Sequence, residues 1–378
     1  MLAIIEFLGL VLYEVLTACA MSAFRPMEQK KKALYLFWAL LPLALMTMFH
    51  SENIGNDTRA YTGLFELVRR MTLKQALSIQ RYEKGYVLFT YALTRMFSSS
   101  QSILIGVGAI MYFSLARWLK KWSAAPGLFV CLIVEMLIID GWMSVLRQTL
   151  ATAVLLFAFD AVLEKKPLRF VLLVILAAQF HAAAYAFLFA YPVVWWFKEY
   201  RIGKNGMLNR SWKFEWLVVG CAVSLALFLQ PVLNMLLRFF PKYQYYVSGA
   251  YMNGQARLAI VLKIVVYGLM LAMPRLIVGR KSKQKSDTKS TALYRMSLLN
   301  LVLLIASSQA TILTRIAGVF SIYAIEEYSA QLARLKHARN RMVMVWLSLI
   351  LFAIYGVVIT LLRTPEWQTT YPFEWFFQ

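Results

Sequence analysis

The sequence has few cysteines and few charged residues. Its three cysteines, Cys19, Cys131 and Cys221, all lie within apolar runs and show no paired spacing, which argues against a disulfide framework or a zinc site. Charged residues make up only 15% of the 378 residues and apolar residues 61%, and this balance repeats along the whole length. The composition therefore predicts an all-α, polytopic integral membrane protein.

Acidic residues are scarce as well. The chain has 18 Asp and Glu against 40 Lys and Arg, a formal net charge of +22. In a soluble protein this excess would suggest a nucleic-acid partner, but here the basic residues cluster in short breaks between apolar runs. That distribution is typical of cytoplasmic loops in membrane proteins, so we expect membrane lipid as a partner and no nucleic acid. The sequence suggests no cofactor and no metal.

The apolar runs and basic breaks predict about 12 transmembrane helices, some short or re-entrant, with both termini outside. The segment 170–197 has basic residues on both flanks, which requires an even number of crossings. A short hairpin with His181 near its apex would satisfy this requirement. The other expected spans are 1–21, 33–49, 102–119, 127–140, 149–163, 214–230, 258–274, 292–308, 316–332 and 342–362.

We expect a single transmembrane domain over 1–378 with three notable loops. These are a large outer loop at 50–101, a second outer loop at 231–257 and a basic cytoplasmic loop at 275–291. In the first loop, apolar residues at near-helical spacing after Asp57 predict an interfacial amphipathic helix. Thr72 and Gln75 form a capping-box pattern. The apolar stretch 85–97 is too short to cross a membrane and is expected to be re-entrant or to lie on the surface.

Three arginines are predicted at the outer N-terminal ends of helices that run inward: Arg147, Arg257 and Arg315. A cation there opposes both the positive-inside bias and the helix dipole, so helix stability does not explain it. Free backbone N–H groups, the positive end of the dipole and an arginine fork together favour a phosphate-binding site. The alternative is that each arginine only extends to the membrane interface.

Candidate acids and bases share the same predicted outer face. Asp57, Glu83 or His181 could accept a proton. Each also has a structural alternative, namely helix capping by Asp57, a solvated surface charge for Glu83 and packing for His181. The tyrosines of the second outer loop, Tyr243 and Tyr246 among them, are suited to the membrane interface or to stacking on a sugar.

Several motifs occur in an order that resembles a known family. They are Asn56-Asp57-Thr58-Arg59-Ala60-Tyr61 with Phe65, Glu83-Lys84-Gly85-Tyr86, Arg147-Gln148-Thr149-Leu150-Ala151, Glu164-Lys165-Lys166, Phe180-His181-Ala182-Ala183-Ala184, Lys242-Tyr243-Gln244-Tyr245-Tyr246, Arg315 before a span, and Tyr371-Pro372-Phe373. Over nearly its full length the chain resembles the EpsG-like, Wzy-type polymerases of bacterial exopolysaccharide, capsule and O-antigen assembly. It departs from the family's usual pattern at Ala182, where serine is common.

The resemblance implies a GT-C-like, metal-independent glycosyltransferase in the bacterial cytoplasmic membrane, with its active site facing outside. Its substrate would be an oligosaccharide repeat unit on undecaprenyl pyrophosphate, and a flippase and a chain-length regulator of the same pathway would be partners. The implied roles are base (Asp57, Glu83 or His181), pyrophosphate binding (Arg147, Arg257, Arg315, Arg59) and sugar binding (Gln148, Tyr61, Tyr243, Tyr246).

Other functions remain open at this point. A flippase or exporter of lipid-linked oligosaccharide would need ionisable residues near mid-membrane. An O-antigen ligase would use the same chemistry on another acceptor. A membrane O-acyltransferase would need a histidine paired with an acidic residue, and His50 is the only additional outer candidate.

Overall fold

A computed structural model describes residues 1–196, 200–202, 208–210, scattered positions between 213 and 235, and residues 254–278, 288–308, 313–335, 337–363 and 370–378. The chain divides into two compact units. The first comprises Met1–Ala161, Leu168–Tyr185 and Ser329–Gln378, and the second comprises Val162–Pro167 and Ala186–Tyr328. The single transmembrane domain expected over 1–378 stays a prediction.

The described residues are mostly helical. In chain order the helices are α1 (Leu2–Ala20), α2 (Gln29–Phe49), α3 (Thr58–Arg69), α4 (Leu73–Leu77), α5 (Lys84–Met96), α6 (Gln101–Trp122), α7 (Pro126–Glu135), α8 (Ile138–Ser144), α9 (Leu146–Leu163), α10 (Pro167–Ala178), a 3₁₀ helix (Ala182–Phe189), α11 (Ala190–Trp195), α12 (Gly254–Val278), α13 (Thr288–Ser307), α14 (Leu313–Ala333) and α15 (Ala338–Arg363).

The predominance of helices confirms the predicted all-α class for the described residues. These residues also include one short antiparallel pair, β1 (Tyr200–Ile202) and β2 (Leu208–Arg210).

Seven helices in the described part of the chain are long and apolar enough to cross a membrane: α1, α2, α6, α9, α12, α13 and α15. The bent pair α7–α8 raises the number to eight, and α10 and 182–195 are shorter apolar helices. Helix α14 is long enough but carries Arg315, Glu326 and Glu327. The prediction of a polytopic membrane protein is confirmed.

Two predicted spans contain breaks. The span expected at 127–140 is divided between α7 and α8, which meet at 61°, so this segment is a bent pair of helices. Leu137 lies at the break with φ of 55°, a conformation that is uncommon for a residue other than glycine. In the segment 170–197, α10 ends at Ala178 and the 3₁₀ helix begins at Ala182, so the helix is interrupted beside His181. The hairpin with two crossings stays a prediction.

The segment 50–101 folds into α3, α4 and α5. The helix and the capping box are confirmed, because Thr72 and Gln75 exchange side-chain to backbone hydrogen bonds. The apolar face of α3, including Tyr61 and Phe65, is buried in a core with residues of α5, α6 and α9. The amphipathic pattern is therefore explained by packing within the protein. The sequence predicted that this face of α3 lies at the membrane interface, but the face is covered by other helices of the protein.

Most of the other two predicted loops, 231–257 and 275–291, lies outside the described residues. Helix α12 begins at Gly254 and continues to Val278, and α13 begins at Thr288. Both ends of the predicted basic loop 275–291 and the end of the loop 231–257 are therefore helical. In the second unit Arg275 pairs with Glu327 at 2.6 Å and Lys289 with Glu326 at 3.6 Å, which offsets the positive charge at these helix ends.

Contacts in the first unit define two faces at opposite ends of α1 and α2. At the His50 face, the N–H of Phe373 donates to Glu6 Oε2 at 2.6 Å and the N–H of Phe376 donates to the Phe49 carbonyl at 3.0 Å. At the Lys32 face, Lys32 Nζ donates to the Ser123 carbonyl at 2.6 Å. The residues that meet at the His50 face belong to segments predicted to lie outside. The residues that meet at the Lys32 face belong to loops predicted to be cytoplasmic.

Candidate functional site

Four helix ends meet on the His50 face of the first unit. The N–H of Asn56, before α3, donates to Ser144 Oγ at 3.1 Å, just before α9. The N–H of Tyr86, in the first turn of α5, donates to the Gln179 carbonyl at 3.1 Å, just after α10. These bonds bring together sequence motifs that lie far apart in the chain.

An ion pair between Arg147 and Glu83 lies at the centre of this arrangement. Arg147 Nη1 is 2.6 Å from Glu83 Oε2, and the two side chains are only 16% and 23% exposed. The other carboxylate oxygen of Glu83 accepts the N–H of Ala182 at 3.2 Å. Glu83 therefore connects the starts of α5 and α9 to the segment that carries His181.

Two tyrosines contact the Arg147 guanidinium, and a third packs against them. Arg147 Nε lies 3.5 Å from the Tyr61 hydroxyl, and its Cζ lies 5.2 Å from the centroid of the Tyr82 ring. The Tyr61 and Tyr86 rings meet edge to face at 5.4 Å. Burial raises the pKa of the Tyr86 phenol, so this ring stays neutral beside the cation. The sequence analysis missed Tyr82, although its position next to Glu83 was a usable signal.

Asp57 lies immediately before α3 but does not cap it with its side chain. Its backbone carbonyl accepts the N–H groups of Ala60 and Tyr61 at 3.0 and 3.2 Å. The capping alternative is therefore wrong for the carboxylate, which is half-buried. Arg59, which was predicted to bind pyrophosphate, donates a hydrogen bond to the side-chain oxygen of Asn53.

His181 is 7% exposed. Its Nδ1 accepts the N–H of Ala183 at 3.2 Å, so in the neutral ring the proton resides on Nε2. In this tautomer Nε2 is a hydrogen-bond donor. Gln148, predicted to bind sugar, is half-buried directly after Arg147 in α9.

The remaining predicted residues lie in the second unit or outside the described residues. Arg257 is in the first turn of α12, with its side chain outside the described residues, and Arg315 is half-buried in the first turn of α14. Both lie in the second unit. Tyr243 and Tyr246 also lie outside the described residues. An anion site shared by the three arginines stays a prediction.

His50 is buried and gives no support to acyl transfer. Its Nδ1 lies 2.8 Å from the Ser51 carbonyl, and burial lowers its pKa to about 4. Among the described residues its Nε2 has no hydrogen-bond partner, whereas the acyltransferase alternative needs a histidine–acid pair. Within the same described part of the chain, no group of three or more His, Cys, Asp or Glu residues could hold a metal ion.

Gly85 explains the close approach of α5 to the His181 segment. A Cβ at Gly85 would lie 2.5 Å from Gln179 Cβ and 2.8 Å from the Gln179 carbonyl oxygen. We expect Gly85→Ala to lower the free energy of unfolding by about 1–3 kcal/mol, the usual cost of overpacking. Thermal unfolding in detergent measures this effect.

Gly63 provides the matched control, since a Cβ there would meet no atom within 4 Å. We expect Gly63→Ala to leave the free energy of unfolding at the wild-type value or slightly above. If the two variants had equal free energies of unfolding, the close contact at Gly85 would not explain the loss of stability.

The chain matches a protein-family model. A model described as the EpsG family covers residues 33–375 of the chain. Neither the curated proteins nor the solved structures searched contained a match.

Proposed function

The chain belongs to the EpsG family, and from that premise we propose that it polymerises oligosaccharide repeat units into surface polysaccharide. Membership suggests an exopolysaccharide-related polymerase. The finer proposal is that the repeat units are carried on undecaprenyl pyrophosphate and are joined at the outer face of the bacterial cytoplasmic membrane.

The observation that carries the proposal is the placement of Arg147. It lies in the first turn of α9, where N–H groups have no partner within the helix. Its guanidinium is held by Glu83 and lies against Tyr61 and Tyr82. A preorganised cation at a helix N-terminus suits a pyrophosphate, and the neighbouring aromatic rings suit a sugar. This arrangement supports a reaction that releases pyrophosphate from a glycosyl donor.

In the proposed reaction, a hydroxyl oxygen of the acceptor attacks the anomeric carbon of the donor sugar. The bond between that carbon and the pyrophosphate oxygen breaks, and the oxygen leaves with the electron pair. Arg147 stabilises the charge that develops on this leaving group. The hydroxyl proton passes to a base. Undecaprenyl pyrophosphate and a polymer longer by one unit are the products.

The geometry favours different roles for the three candidate bases. Both oxygens of Glu83 already accept hydrogen bonds, so we assign Glu83 to positioning Arg147. The tautomer of His181 presents a donor at Nε2, which suits binding of a phosphate or sugar oxygen. Asp57 keeps a carboxylate that is not used for capping, one helical turn before Tyr61. We therefore propose Asp57 as the base.

The proposal also includes 12 membrane crossings, a GT-C-like arrangement and an active site facing outside. Gln148 would bind sugar. The lipid-linked oligosaccharide would also contact the outer residues Arg59, Arg257, Arg315, Tyr243 and Tyr246. A flippase would deliver the substrate, and a chain-length regulator would set the extent of polymerisation.

One observation favours a second candidate, a flippase or exporter of lipid-linked oligosaccharide. Glu14 in α1 and Glu135 at the end of α7 are completely buried, with no hydrogen-bond partner in the described structure. Glu135 also precedes the break between α7 and α8. Buried carboxylates beside a broken helix are typical of transport sites.

A gel of surface polysaccharide from a strain lacking this chain separates the candidates. We expect the polymer ladder to collapse to single lipid-linked repeat units on the outer surface, and the wild-type gene to restore it. Units retained on the cytoplasmic side would indicate a flippase instead. Full-length polymer left on its lipid carrier would indicate a ligase. Either of these results would contradict the proposed polymerase.

A further inference from the structure

Helices α2 and α6 of the first unit enclose a groove with no assigned role. Its volume is about 460 Å³, within the range of small-molecule sites. The wall is almost entirely apolar and includes Leu36, Phe37, Leu40, Leu41, Tyr112 and Phe113. Phe37 and Phe113 are 56% and 68% exposed, so the groove opens on the side of the bundle where lipid is expected.

The depth of the groove matches one leaflet of a bilayer. Its lining extends from Ala33 to Ala44 on α2 and from Tyr112 to Lys120 on α6. At 1.5 Å per residue these stretches are about 16 and 12 Å long, compared with about 15 Å for half of the hydrocarbon core. A single acyl chain is therefore the apolar ligand that fits its length.

The groove ends in positive charge at the Lys32 face. Arg117 and Lys120 line this end, and Lys32 Nζ lies 3.3 Å from the Lys120 carbonyl. Arg117 and Lys121 share one carboxylate, Asp160, at 2.7 and 3.4 Å. Lys120 is exposed. Lys32, Arg117, Lys120 and Lys121 carry four positive charges against the one negative charge of Asp160. This net positive charge complements an anionic head group.

We propose that this groove binds an anionic phospholipid, with one acyl chain between α2 and α6 and its phosphate against Lys120 and Arg117. The ligand differs from the proposed substrate. Arg147 and Asp160 lie on the same helix, 13 residues or about 20 Å apart. A carrier whose pyrophosphate contacts Arg147 therefore has its charged group at the opposite face.

Native mass spectrometry of the full chain in detergent tests the proposal, with phosphatidylglycerol, phosphatidylcholine or undecaprenyl phosphate added in turn. We expect at least tenfold tighter retention of one phosphatidylglycerol than of phosphatidylcholine. Lys120→Ala should weaken phosphatidylglycerol retention about fivefold, the contribution of one cation near an anionic surface. Ala116→Trp should fill the groove and abolish the retention.

Two matched controls distinguish this site from general lipid contact. Lys74→Ala removes an exposed lysine from the His50 face, and Leu12→Trp adds bulk to the exposed side of α1. Both should retain phosphatidylglycerol as the wild type does. Equal retention of the two phospholipids, or no effect of Lys120→Ala and Ala116→Trp, would refute the proposal. Displacement of phosphatidylglycerol by undecaprenyl phosphate would also refute the proposal, because the carrier would then occupy the groove. A dimer that Ala116→Trp dissociates would refute it too, because a second copy of the chain would then be the occupant.

Discussion

With alanine in place of Arg147, we expect no long polymer and an accumulation of single lipid-linked repeat units. The guanidinium is the group that stabilises the departing pyrophosphate in the proposed reaction. Removing one preorganised donor of this kind lowers turnover by about 100- to 1,000-fold. Chain length is measured on polysaccharide gels, with an immunoblot to establish equal protein levels.

Two further arginine variants make the result specific. Arg147→Lys keeps the charge but loses the fork that contacts Glu83 and Tyr61 together, so intermediate chain lengths are expected. Arg70 is exposed at the end of α3 on the same face, and Arg70→Ala should leave the polymer unchanged. Normal polymer from Arg147→Ala at normal protein levels would remove Arg147 from the mechanism.

Replacing Glu83 by alanine should reduce polymerisation almost as severely as Arg147→Ala. The variant leaves a largely buried guanidinium and the N–H of Ala182 without their common acceptor, and an unsatisfied buried group is costly. Glu83→Gln keeps an acceptor oxygen and should retain activity within about tenfold of wild type. Initial rates of polymer formation in membrane preparations compare the variants.

The glutamine variant separates positioning from base catalysis. If Glu83 were the base, Glu83→Gln would be as inactive as Glu83→Ala. If Glu83 positions Arg147, the double alanine variant should be no less active than Arg147→Ala alone. Glu66→Ala is the control, because its contact with Arg69 is exposed and 4.0 Å long.

Much of the helical framework could be predicted from apolar runs and basic breaks. The starts of α9 and α3 and the capping box at Thr72 follow from local sequence, because local backbone preferences set them. The break at Leu137 has no comparable signal, since neither proline nor glycine occurs there. The apolar stripe of α3 was predicted correctly, but its partner was not, because a periodic pattern does not distinguish protein from lipid.

The candidate site was predicted only in its components. Topology placed Arg147, Glu83 and His181 on one face, and the structure brings Arg147 and the His181 segment to Glu83. Their pairing depends on contacts between residues 64 and 99 positions apart, which no local pattern encodes. Consequently, the sequence suggested a base at Glu83, whereas its two occupied oxygens favour a positioning role. The placement of Tyr82 under Arg147 required the packing of α3 against α5.

The most direct measurement is polymerisation by the purified chain alone in lipid vesicles supplied with a defined undecaprenyl-pyrophosphate-linked repeat unit. We expect lipid-linked products of two, three and more units, with one undecaprenyl pyrophosphate released for each bond formed. Arg147→Ala vesicles should form almost none. Wild-type vesicles that form no longer product, but move the lipid-linked unit across the bilayer, would contradict the polymerase and establish a transporter.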